Sequence, residues 1–160
     1  MSAEFSIDDY RELLRRYPTG VTVVSAKLDG KEYGATMNSF TTVSMKPPLV
    51  AVFIMEGSKT LKAIESSGKF VVSLLSGEQE NAARGFAEDA KEAKFESFPH
   101  LVTDDGIPYL PEAFGRLECS LYLSETIADH RMIVGEVKRC HVQNQNKSLL
   151  YYRRVFGPTV

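Results

Sequence analysis

Four short groups of residues in this chain could do chemistry. The first is Glu56-Gly57-Ser58-Lys59-Thr60, which places two hydroxyls and an ammonium just ahead of Leu61 and Ile64 at helical spacing. Unpaired N–H groups and the dipole at a helix start attract negative charge, so this loop suits a phosphate monoester or pyrophosphate. Lys59, on its flexible stem, would act there as a point charge. The same five residues also read as an ordinary helix cap beside a solvated lysine. The second group, Thr36-Met37-Asn38-Ser39, ends a strand-like run. Its hydroxyl and amide groups can donate and accept toward a planar heterocycle carrying carbonyl and imine groups, or they can cap their own turn. The third is Asp129-His130 in the polar turn 128–131, where the carboxylate could orient the imidazole toward a carboxamide or a ring, or His130 simply faces water. The last, Tyr151-Tyr152-Arg153-Arg154, offers stacking and charge, or a terminal strand with one buried and one exposed tyrosine.

Other chemistries have no foothold. No GxGxxG follows a strand, no GxxxxGK[ST] occurs, and no GxSxG elbow is present. His100, His130 and His141 have neither HExxH nor zinc-ligand spacing, so no metal is expected. Cys119 and Cys140 form no CxxC pair and no disulfide framework, and within strand patterns both read as inert core thiols. A net charge of -2 without a basic block argues against nucleic acid as a partner. The longest apolar run, Leu49 to Met55, falls far short of the ~18 residues needed to span a bilayer. The first residues are acidic and helical in pattern, unlike a signal peptide, and a cytoplasmic protein is the expectation.

These groups need elements to hold them. Ser6 is an N-cap, flanked by Phe5 and Tyr10 at the positions of a hydrophobic staple. Tyr10, Leu13, Leu14 and Tyr17 then recur at helical spacing until Pro18. Val21 to Ala26, the turn Asp29-Gly30 and Tyr33 to Asn38 predict a hairpin. Pro47-Pro48 precedes a continuous apolar strand, Leu49 to Ile54, and Ser58 caps a helix ending at Gly68. Phe70 to Leu75 is the next strand, and Ser76 with Gln79 forms a capping box for a helix through Phe86. Ala87 to Pro111 is charged, then rich in Pro and Gly, and reads as an irregular excursion without its own core. Leu117 to Leu123, Met132 to Val142 and Leu149 to Phe156 supply the last strands. Many strands, three short helices and no βαβ alternation predict a mainly β fold, an antiparallel sheet closed as a barrel. A chain of 160 residues fits one domain, 1–160, able to hide roughly 70% of its unfolded surface.

In order, several stretches form one pattern: residues 16–24 (Arg-Tyr-Pro-Thr-Gly-Val-Thr-Val-Val), 36–40, Pro47-Pro48-Leu49-Val50, Ser58-Lys59-Thr60-Leu61 and Ser67-Gly68-Lys69-Phe70. Phe86-Ala87, Leu117-Glu118-Cys119, Asp129-His130 and Gly135-Glu136-Val137 continue it. From about Tyr10 to Phe156 the chain resembles the flavin reductases with an FMN-binding split barrel. That family includes the reductase components of two-component aromatic hydroxylases such as 4-hydroxyphenylacetate 3-monooxygenase. The resemblance implies an antiparallel Greek-key split β-barrel with a few short flanking helices, and a homodimer. It implies an NAD(P)H:flavin oxidoreductase passing hydride to FMN or FAD, with NADH the expected donor and NADPH the alternative. A flavin-dependent monooxygenase would receive the reduced flavin.

By the same resemblance Thr36, Met37, Asn38 and Ser39 would meet the isoalloxazine and ribityl chain, and Val50, Ala51 and Phe53 its pyrimidine edge. Ser58, Lys59 and Thr60 would hold the phosphate, and Phe86 and Ala87 would close over the flavin. His130 would position the nicotinamide, with Tyr152 on that side, and Arg153 would also be a cofactor-binding residue. Ala128 stands where relatives usually carry glycine before Asp-His, and alanine resists a positive φ. The hard step belongs to the cofactors, so a site of backbone N–H groups and small hydroxyls suffices. Two readings compete: a non-catalytic flavin carrier on the same barrel, and an oxidase like pyridoxamine phosphate oxidase, for which a second basic cluster is wanting.

Overall fold

The computed structural model describes residues 4–88, 94–143 and 146–159. Helix α1 (Ile7–Arg15) starts where expected, with the Ser6 hydroxyl accepting the N–H of Asp9 at 3.3 Å and the Phe5 and Tyr10 rings 6.0 Å apart. After β1 (Thr19–Gly20), strands β2 (Thr22–Leu28) and β3 (Lys31–Met37) form the expected hairpin. Its two-residue turn has both residues at positive φ, 51° at Asp29 and 76° at Gly30, the twist that a two-residue hairpin favours.

Strand β4 (Thr41–Met45) leads to β5 (Pro48–Met55), helix α2 (Lys59–Ser67) and β6 (Lys69–Leu74). Gly68, at φ 69°, ends α2 in the left-handed conformation that glycine adopts without a Cβ clash. Helix α3 (Glu80–Ala87) starts after only half of the expected capping box: the Gln79 side chain accepts the Ser76 N–H at 3.0 Å, but no side chain caps the helix in return. Ser76 is engaged elsewhere, bridging Ser148, while Gly77 N–H donates to Lys147, so the chain stays extended there. Short strands β7 (Leu101–Val102) and β8 (Pro108–Tyr109) pair with each other. Long strands β9 (Gly115–Ile127) and β10 (His130–Val142) follow, then β11 (Leu149–Tyr152) and β12 (Val155–Pro158).

Every described pairing is antiparallel. One seven-stranded sheet runs β3-β2-β6-β9-β10-β5-β4, and a small sheet joins β1, β11 and β12. The large sheet curls back on itself. Just beyond its β3 edge, the Ser39 hydroxyl accepts the Phe53 N–H at 3.0 Å and donates to the Phe53 carbonyl at 3.1 Å, pinning that edge to β5.

Strand β2 is buried on both faces, and its alternation divides the core. Val24 and Ala26 join α2, β5 and Phe70 in one apolar cluster, whereas Val21 and Val23 join α3, Leu110 and Leu149 in a second. The stretch after Ala87 has no core of its own, yet from Lys94 on it is docked. Phe95 and Leu110 complete the second cluster, and the Phe95 ring lies 4.7 Å from that of Phe86. Residues 89–93 lie outside the described ones.

The two cysteines, both expected in the core, part ways. Cys119 is buried, and desolvation followed by the Glu118 charge pushes its thiol up to about 12, which leaves it unreactive. Cys140 is exposed. A register shift between Val137 and Arg139 turns the outer end of β10 toward solvent, so the alternation read from sequence does not extend that far.

Candidate functional site

The pin at Ser39–Phe53 leaves a cleft of about 570 Å³ between β3 and the chain that runs from β5 into α2, within the range of small-molecule sites. One wall is Tyr33 to Ser39; the other is Phe53 to Thr60, with His130 at its rim. The cleft therefore brings together Thr36, Met37, Asn38, Ser39, Phe53, Ser58, Lys59, Thr60 and His130.

Ser58 occupies the N-cap position with extended backbone (φ -62°, ψ 135°), but its hydroxyl makes no hydrogen bond to the helix. The expected cap is thus not formed by the side chain. No acidic residue lies in the first turn of α2, so nothing there offsets the positive end of the dipole.

The hydroxyls on the β3 side are employed differently. Thr36 donates to the Ala83 carbonyl of α3 at 2.6 Å, and Ser39 holds Phe53. Asn38 is exposed at the cleft mouth.

His130 begins β10, facing Met55 of β5 and Ile127 of β9. Its Nδ1 lies 2.8 Å from the Asp129 carboxylate, and that hydrogen bond holds the Asp129 carboxyl below its usual range. With Nδ1 donating, Nε2 is an acceptor in the neutral ring and a donor in the charged one. Ala128 does take a positive φ, 53°, in this turn, and the turn is tied down by Glu56 N–H donating to the Asp129 carbonyl at 3.0 Å.

Arg131, which sequence reading passed over, braces the same corner. Its guanidinium donates to Glu65 of α2 at 2.7 Å and 3.1 Å and to Thr126 at 2.6 Å, and lies 3.8 Å from Glu56. The Ser124 hydroxyl donates to Glu65 at 2.6 Å, and that bond, then Arg131, hold the Glu65 carboxyl below its usual range. The anion loop, its helix and the His130 turn are therefore one braced unit.

Several expected residues are not brought to the cleft. Val50 and Ala51 are buried within β5. The Phe86 ring is buried between Phe95 and Phe98, at 4.7 Å and 5.2 Å. Ala87 lines a separate hollow of about 490 Å³ with Tyr151, Arg154 and Phe156, which meets the cleft at Thr36 and Asn38. Tyr152 and Arg153 line neither; the Arg153 guanidinium sits 5.4 Å from the Tyr152 ring, and the Arg153 backbone N–H donates to the Arg15 carbonyl at the end of α1. Lys94 does line the cleft. Nothing in the sequence singled it out, because it lies in a charged run with Lys91 and Glu92 that reads as solvated.

Among the described residues, no group of three or more His, Cys, Asp or Glu side chains could hold a metal ion, and no helix is long and apolar enough to cross a membrane.

Comparison with known proteins places this architecture. A family model described as a flavin reductase like domain matches residues 14–159. A flavin reductase of Pseudomonas putida is 36% identical over 149 residues, covering 92% of this chain and 87% of that protein. The reductase component of 4-hydroxyphenylacetate 3-monooxygenase from Thermus thermophilus is 34% identical over 145 residues, covering 91% of each. Among solved structures, the NADH:FAD oxidoreductase of Streptomyces globisporus in complex with NAD and FAD fragments superposes with a TM-score of 0.89 at 29% identity, covering 99% of this chain and 98% of that one.

Proposed function

The chain belongs to the flavin reductase like family, and from that premise we propose that it reduces flavin with NADH, the flavin lying in the cleft between β3 and the β5–α2 loop. One observation carries the placement: a single hollow holds a helix N-terminus with an uncommitted serine hydroxyl, a lysine, a polar strand edge and an aspartate-braced histidine. When bound, reduced nicotinamide supplies a hydride and the flavin accepts it.

The protein's share is to bind, orient and exclude water. Ser58, Lys59 and the first N–H groups of α2 hold the phosphoryl group, where dipole and ammonium act together. Thr36, Met37, Asn38, Ser39 and Phe53 border the isoalloxazine. They offer it backbone groups and the Asn38 amide more than the Thr36 and Ser39 hydroxyls, which already hold the walls. His130 positions the nicotinamide, its ring aimed by Asp129 and its strand by Arg131.

Likeness to the Thermus reductase component supports a flavin-dependent aromatic monooxygenase as recipient of the reduced flavin. A homodimer accounts for α1, which buries none of its residues and exposes Ile7, Tyr10, Leu13 and Leu14. The chain is read as one domain, since a single sheet draws strands from Thr22 to Val142.

The reductase reading is tested by mixing the purified protein with NADH and excess FMN or FAD and following the nicotinamide absorbance. Oxidation that depends on added flavin is expected; no oxidation with either flavin and either nicotinamide would sink the reading. Light scattering should return twice the chain mass, and a monomer would overturn the dimer.

A further inference from the structure

The turn that delivers Lys94 is clamped onto the barrel by apolar and polar contacts. Lys94–Ser97 is one turn of 3-10 helix. Phe95 packs on Phe86, Phe98 lies 5.2 Å from Phe86, and the His100 ring meets Phe95 edge-on at 5.1 Å. The His100 Nε2 is 3.1 Å from the Glu32 carboxylate on β3. Gly34 lets the turn come this close, because a Cβ there would stand 2.9 Å from both phenyl rings.

The consequence is a lysine that is 9% exposed yet lines the cleft. Lysine is among the residues least often buried, and an ammonium out of water must be held by polar partners. Here the Nζ donates to the Phe86 carbonyl of α3 at 3.0 Å and to the Gly34 carbonyl of β3 at 3.4 Å. Two elements thus hold this ammonium, and it is buried where Lys59 is exposed. From the Ser39–Phe53 pin, one wall runs back along β3 to Gly34 and the other forward to Ser58. Lys94, bonded to Gly34 of the β3 wall, therefore lines the same cleft as the anion loop of the other wall.

A phosphate monoester carries a charge near -2 at neutral pH, more than one ammonium matches. We propose that Lys94 is a second cationic determinant for the phosphoryl end of the flavin, acting from the β3 wall while Ser58 and Lys59 act from α2. This rests on the flavin reductase reading, and deepens it by assigning selection for phosphorylated flavin over riboflavin to a buried lysine.

Quenching of flavin fluorescence, titrated with FMN and with riboflavin, tests it on the wild-type chain and on Lys94→Met and Lys94→Arg. Lys94→Met should weaken FMN about tenfold, the scale of one charge-assisted contact, and riboflavin by less than about twofold. Lys94→Arg should restore most of the preference for FMN. The ratio of the two affinities is the readout, so any partial unfolding cancels. If Lys94→Met does not fold, Lys94→Gln, which keeps a donor for the two carbonyls, reads the same ratio. Equal weakening of both flavins, or an unmoved FMN affinity, overturns the role of Lys94; flavin-dependent NADH oxidation by the wild type then leaves the reductase reading standing. A wild type that binds neither flavin and oxidises no NADH overturns both.

Discussion

The two ends of the cleft are built from the same kinds of side chain and use them in different ways. At the β3 end, Thr36 gives its hydroxyl proton to the Ala83 carbonyl of α3, and Ser39 exchanges two hydrogen bonds with Phe53 of β5. At the α2 end, the Ser58 hydroxyl makes no bond to its own helix. The contrast follows from position in the sheet. Strand β3 is an edge whose polar groups must be joined to something for the barrel to hold its shape. The chain entering α2, by contrast, is held from outside at Glu56, whose N–H donates to the Asp129 carbonyl at 3.0 Å and whose carboxylate lies 3.8 Å from Arg131, so the N-cap hydroxyl is spared for a ligand. A small hydroxyl residue is a good ligand group only where the fold has not already employed it.

The sharpest test of this contrast is Ser39→Ala. It leaves both backbone groups of Phe53 without their partner in a half-buried strand, at a cost of about 2 kcal/mol, the scale for unsatisfied polar groups. The urea midpoint should fall accordingly, and flavin affinity should fall with it because the wall loosens. An unchanged midpoint with lost flavin binding would break the comparison, making Ser39 a direct ligand.

Lys59→Ala should do the reverse. An exposed lysine at a helix start contributes within about 0.5 kcal/mol to stability, while losing a charged contact raises the flavin KM about tenfold with little change in kcat. Steady-state kinetics with varied FMN separate the two parameters, and an unmoved KM would take Lys59 out of the phosphate site. Thr36→Val returns to the β3 end: removing the donor to Ala83 should lower stability by about 1 kcal/mol, seen in the same urea titration. A loss confined to flavin affinity would show that the hydroxyl faces ligand instead of α3.

Sequence reading succeeded where the signal was local and failed where it depended on distant partners. The Asp29-Gly30 hairpin, the ends of α1 and α2, and the apolar β5 all followed from neighbours in the chain. Part of the cleft was legible too, at Thr36 to Ser39 and Ser58 to Thr60, where small polar residues stand beside a strand end and a helix start. Whether a hydroxyl was committed was not legible, since Ala83 lies 47 residues from Thr36. Lys94 was hidden because burial of a charged run depends on Phe95 finding Phe86 and on glycine at position 34. Ala128 is the intermediate case. Its residue type signalled strain, and the structure shows φ 53°. Ala128→Gly should therefore raise stability by about 0.5–1 kcal/mol, and an unchanged or lower thermal midpoint would mean that the turn is relaxed as it stands.

Ser58→Ala is expected to have the smallest effect on folding, and for that reason it measures the α2 end most cleanly. Removing an N-cap serine ordinarily destabilises a helix by about 1 kcal/mol. Here the hydroxyl makes no cap bond, so the loss should stay below about 0.5 kcal/mol in the urea titration. The flavin KM should nevertheless rise about threefold, on the low side of one neutral hydrogen bond, and riboflavin affinity should not move. A stability loss near the ordinary cap value would show that the hydroxyl serves the helix in solution. The two ends of the cleft would then be alike in spending their hydroxyls on the fold, and the phosphoryl group would depend on the α2 N–H groups and the lysines alone.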